Sequence, residues 1–129
     1  GRTRRPKNLK GATSTAQVDC GQGAGNEDAD PTTSAHGFPT ENQRFLHVVL
    51  KEDGNNNVPT LTLWAYSHAS GQWGLLKASD GSAITIAGAG NSTVYRIIEV
   101  FGVDRVYFQE TDGDFTTATD ELYAACSTF

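Results

Sequence analysis

Three histidines, His36, His47 and His68, and two cysteines, Cys20 and Cys126, are the side chains in this 129-residue chain best suited to acid–base, nucleophilic or metal chemistry. Their spacing matches no such site. A zinc protease carries two histidines one helical turn apart around a glutamate, and a serine hydrolase presents its nucleophile on a Gly-x-Ser-x-Gly turn. Neither pattern occurs, and neither cysteine has the close Cys or His neighbour that a tetrahedral zinc site uses. Gly21-Gln22-Gly23-Ala24-Gly25 lacks the preceding strand and the following Lys-Ser/Thr of a phosphate loop, so its glycines read as flexibility. Glu27, Asp28 and Asp30, and the pair Asp112 and Asp114, are hard oxygen ligands without calcium-loop spacing. They read as solvated acids and turn residues. Asn91-Ser92-Thr93 is a glycosylation sequon in form only, because no secretory leader is apparent. The expectation is a protein without catalytic residues, metal or cofactor.

Two groups of residues keep a functional meaning. Trp64, Tyr66 and Trp73 lie in strand-like segments, Trp64 and Tyr66 on the opposite face from Leu61 and Leu63. Exposed, they could stack on sugar rings; covered, they would pack in a core or an interface. The second group is the basic tip. Arg2, Arg4, Arg5, Lys7 and Lys10 are half of the ten basic residues, and the rest of the chain carries five basic and fifteen acidic side chains, a net of −10. Such a tip docks on an anionic surface. It has no aromatic residues for base stacking, and the acidic body repels nucleic acid, so docking on a neighbouring protein is the expected role.

The elements that would position these groups divide the chain in two. Residues 1–43 read as an extended arm. Apart from Leu9, Val18 and Phe38 they hold no large apolar side chain, while glycines and Pro6, Pro31 and Pro39 interrupt regular structure. Fully extended, this arm would reach on the order of 140 Å at roughly 3.3 Å per residue, enough to touch neighbouring subunits. Residues 44–129 hold both Trp, all four Tyr and five of six Phe. Here apolar residues alternate: Leu46, Val48 and Leu50, then Leu61 and Leu63 opposite Trp64 and Tyr66. Further strands are expected at Gln72–Leu76, Ala83–Ile86, Thr93–Val100 (the longest), Arg105–Glu110 and Phe115–Thr119. They are separated by Asp53–Asn57, Ser70-Gly71, Asp80-Gly81, Gly88–Asn91, Phe101–Asp104 and Asp112-Gly113. Asp120–Cys126 fits a short helix or a strand, with the strand ahead. Seven or eight short strands predict an all-β fold, an antiparallel β-sandwich or jelly roll preceded by the arm. No stretch is apolar enough for a leader peptide or a membrane span, so two free thiols are expected ahead of a Cys20–Cys126 bridge.

Ser70-Gly71-Gln72-Trp73-Gly74-Leu75-Leu76, followed by Ile84-Thr85-Ile86, Val94-Tyr95-Arg96-Ile97 and Gly102-Val103-Asp104-Arg105-Val106-Tyr107-Phe108, resembles small virion proteins of tailed bacteriophages. Capsid decoration (cement) proteins and related β-sandwich components of tails and fibres are the nearest in style. The likeness spans roughly residues 44–129 and lies in strand order. It implies a shell-bound protein in the virion, assembled in the host cytoplasm. Its partners would be the major capsid protein or other virion subunits. It would be a homo-oligomer, a trimer ahead of other states, with an arm that bridges capsomers. The resemblance transfers no catalytic residue. Two other readings stand beside it: a glycan-binding module of a tail or fibre, and a structural component of the tail or connector.

Overall fold

Leu46, Val48 and Leu50 are fully buried while the residues between them are partly exposed, the pattern of a strand with one face on a core. The computed structural model describes residues 7–10, 20–21, 37–52, 60–90, 92–110 and 121–128. Its regular elements are all strands: β1 (Lys7–Lys10), β2 (Cys20–Gly21), β3 (Phe38–Pro39), β4 (Phe45–Lys51), β5 (Thr60–Ser67), β6 (Gln72–Leu75), β7 (Thr85–Ala87), β8 (Thr93–Glu99), β9 (Arg105–Glu110) and β10 (Glu121–Ser127). The chain is therefore all-β in its described part. Of Asp120–Cys126, the segment that fits a helix or a strand, Glu121–Cys126 lies in β10, where Leu122, Ala124 and Cys126 bury one face. The longest strand is β5 with eight residues, one more than β8. The expected turn at Asp53–Asn57 and the hairpin from Asp112-Gly113 into Phe115–Thr119 lie outside the described residues.

Two sheets form. One has the order β1-β10-β4-β8; in the other, β2-β9-β5-β6 is extended by β3 on β9 and β7 on β5. Every pairing is antiparallel except the two-residue contact of β2 with β9. Buried residues from both sheets meet in one cluster. Leu46, Val48, Leu50, Ile98, Leu122, Ala124 and Cys126 come from the first sheet, and Phe38, Leu61, Leu63, Ile86, Val106 and Phe108 from the second. Burying each of the Val, Leu, Ile and Phe side chains among them contributes about 1.5–3 kcal/mol.

The stretch read as an arm contributes to these sheets. β1 pairs with β10, β2 and β3 pair with β9, and Phe38 is buried in the core. Beyond β3, Thr40–Gln43 forms a tight turn, with Gln43 N–H donating to Thr40 O at 2.9 Å and positive φ at Glu41 and Asn42. Thr40 is fully buried and its hydroxyl donates to Val103 O at 2.5 Å. Short strands with few apolar residues, such as Lys7-Asn8-Leu9-Lys10, form here by adding backbone hydrogen bonds to an existing edge, a cause that side-chain periodicity does not register.

Candidate interaction surface

The aromatic residues singled out from sequence come together on the six-stranded sheet. Register places Tyr66 opposite Trp73 and Trp64 opposite Tyr107. The Tyr66 and Trp73 rings lie 5.2 Å apart, and Trp73 meets Tyr107 edge-on at 6.4 Å. The Trp64 indole N–H donates to Gln109 Oε1 at 3.0 Å, whereas Trp73 Nε1 is buried without a hydrogen-bond partner. Trp73 also packs on Gly37, where any Cβ would come within 2.6 Å of its ring. All three residues are partly buried, and Tyr66 and Trp73 pack against each other. A sugar-binding platform needs a ring face open to solvent, and their partial burial narrows what these rings offer.

The open surface lies on the outer face of the other sheet. Register across β10, β4 and β8 gives four rows: Glu121–Lys51–Thr93, Tyr123–Val49–Tyr95, Ala125–His47–Ile97 and Ser127–Phe45–Glu99. Exposure rises along each central row. Ala125 and Ser127 are buried, His47, Val49 and Phe45 are partly buried, and Tyr95 and Ile97 stand 74% and 65% exposed. Phe101, in the turn after β8, is 72% exposed. Single exposed apolar residues are ordinary; three adjoining ones beside a half-covered apolar face form a patch.

Charges rim the patch. At one end Arg44 lies 5.1 Å over the Phe45 ring and 3.8 Å from Glu99, and an open depression of about 270 Å³ is lined by Arg44, Glu99 and Phe101. At the other end Lys51 pairs with Glu121 at 3.2 Å. The Tyr123 hydroxyl donates to Glu121 Oε1, which holds the phenol above its ordinary pKa; burial and the Glu121 charge add to this. Both ion pairs are solvent-accessible and contribute little to stability by themselves. His47 Nε2 and Ser127 Oγ are 2.7 Å apart. Ser127 is fully buried, so this hydrogen bond ties β10 to β4 and offers no hydroxyl to a substrate.

Of the basic tip, Lys7 and Lys10 fall in β1, while Arg2, Arg4 and Arg5 lie outside the described residues, as do His36 and the acids Glu27, Asp28 and Asp30. Cys126 is buried in β10. The exposed trio Tyr95, Ile97 and Phe101 was not singled out from sequence. The signal was present: Val94-Tyr95-Arg96-Ile97-Ile98 carries apolar residues on both faces, so an edge strand with that sequence must turn one apolar face outward. Among the described residues no group of three or more His, Cys, Asp or Glu is placed to hold a metal, and no helix is long and apolar enough to cross a membrane. No protein-family model, characterised protein or solved structure matches the chain.

Proposed function

We propose that this chain is a non-catalytic β-sandwich or jelly-roll module that works inside a larger assembly, as a virion protein of the capsid decoration (cement) kind. The observation that carries the reading is the outward apolar face at β8, where Tyr95, Ile97 and Phe101 stand exposed beside Phe45 and Val49. A patch of that kind is covered in the working state. The single cluster of buried residues shared by two sheets supports a sandwich, and the resemblance of sequence segments such as Ser70–Leu76 to those of phage decoration proteins supplies the context. In this reading the basic residues Arg2, Arg4, Arg5, Lys7 and Lys10 add an electrostatic contact to the capsid neighbour, and the protein stabilises the shell by binding only its assembled form. The partial burial of Trp64 and Trp73 weighs against the glycan-binding alternative.

Sedimentation of purified capsid shells with added full-length protein tests the reading. Saturable co-sedimentation is expected, weakened when residues 1–6 are deleted, a change that removes three arginines and leaves β1 in place. Protein that stays in the supernatant, or tryptophan fluorescence that is quenched by a simple sugar, speaks against it.

A further inference from the structure

We propose that β8 pairs with β8 of a second copy of this chain, antiparallel about a two-fold axis, joining two four-stranded sheets into one of eight strands. This rests on the reading of β8 as an interaction surface and names the partner of its edge; the outer apolar face, continued across the axis, is left for the assembly to cover. The two edges of the sheet are built differently. β1 carries two lysines in four residues, and its register shifts between Asn8 and Lys10; both features blunt an edge against unwanted pairing. β8 has neither. Its seven residues include no lysine and no proline, and its register with β4 runs unbroken from Phe45–Glu99 to Lys51–Thr93. β8 ends its sheet, with no strand beyond it among the described residues. A regular edge of that length, charged only at Arg96 and at its terminal Glu99, is a template for strand addition.

The strand that best fits β8 is β8 itself. With Arg96 on the axis, Tyr95 faces Ile97 of the second copy and Ile97 faces its Tyr95, two aromatic–β-branched pairs of the kind that stabilise antiparallel strands. On the inner side Val94 faces Ile98. Two Arg96 residues meeting at the axis would repel, but the Arg96 guanidinium is drawn toward its own chain's β7, donating to Thr85 O at 3.2 Å. At either end Glu99 faces Thr93 of the second copy, whose neighbour across its own β4 is Lys51. The rim is thus complementary under a two-fold rotation: the Arg44–Glu99 end of one copy approaches the Lys51–Glu121 end of the other. A foreign strand would have to supply this pattern, whereas a second copy supplies it by symmetry.

The test is the mass of the full chain by light scattering over a concentration series, for the wild type, Ile97→Lys and Tyr95→Lys. A monomer–dimer equilibrium is expected for the wild type. Each substitution should raise its dissociation constant on the order of a hundredfold, since the lost contact occurs twice across the axis. Both residues are exposed in the single chain, so an unchanged melting temperature at low concentration verifies the fold. Under oxidation Arg96→Cys should give a disulfide-linked dimer, because opposed Cα atoms in an antiparallel pair lie about 4.5–5.5 Å apart. The wild type, which carries Cys20 and Cys126, is the control. A wild type that stays monomeric, a trimer, or a dimer indifferent to both lysines overturns the proposal. A dimer sensitive to the lysines that Arg96→Cys does not cross-link overturns the register about Arg96. None of these measurements involves the capsid, so failure here and failure of shell binding are separate results.

Discussion

Gly37 shows how one residue sets the entry of the chain into the fold. Its φ is +102°, in the region that L side chains rarely adopt, and a Cβ there would lie 2.6 Å from the Trp73 ring and 3.3 Å from Val106 O. Its carbonyl accepts a hydrogen bond from the Arg105 guanidinium at 2.5 Å. Backbone conformation and lack of space thus both require glycine just before Phe38 enters the core. Gly37→Ala is expected to destabilise the protein by at least about 1 kcal/mol, read as a lower urea midpoint at constant slope. Exposed Ala89→Ser, between β7 and β8, serves as the near-neutral control. Gly88 makes a similar allowance, since any Cβ there would collide with the buried Glu52 carboxylate.

At the scale of elements, β1 decides how the basic tip should be dissected. Deleting residues 1–10 removes a strand and uncovers the edge of β10, while deleting residues 1–6 leaves β1 paired. The longer deletion is expected to cost on the order of 1–3 kcal/mol, from a few backbone hydrogen bonds and the packing over β10. The shorter should shift the thermal midpoint by far less. Equal shifts would show that β1 adds nothing to the sheet. The contrast also marks what could be read from sequence. β4 to β9 were legible because apolar alternation and Gly/Asp punctuation are local signals; Leu46-x-Val48-x-Leu50 and Asp80-Gly81 sit where the pattern predicts. β1, β2 and β3 were not, because each is two to four residues long and owes its existence to a partner strand distant in sequence. Phe38 was seen as an isolated apolar residue, and only its pairing opposite Val106 makes it core. The candidate surface was half legible. Strand parity correctly set Trp64 and Tyr66 opposite Leu61 and Leu63, but parity does not show which strand ends a sheet. The exposed face of β8 therefore appeared only with the strand order.

At the scale of the whole molecule, the described residues form two β-sheets that share one core, and the four-stranded sheet has one blunted edge and one open edge. An open apolar edge is tolerated where it is covered for most of the protein's life, as it would be in an assembly. The charge distribution fits the same picture. A net charge of −10 outside the first ten residues keeps copies apart in general, and a local interface must overcome this by shape and by paired rim charges such as Lys51 and Glu99. Association should therefore strengthen with salt, as the long-range repulsion is screened while the buried apolar contacts remain.

The most direct test of the central claim, that β8 is an edge made to be covered, is amide hydrogen exchange of the full chain at low and high protein concentration. Alternate amides of Thr93–Glu99 point away from β4 and exchange freely in a single copy. They are predicted to become protected as concentration rises, while β5 and β10 stay unchanged. Exchange at these β8 amides that is equally fast at every concentration would contradict the account.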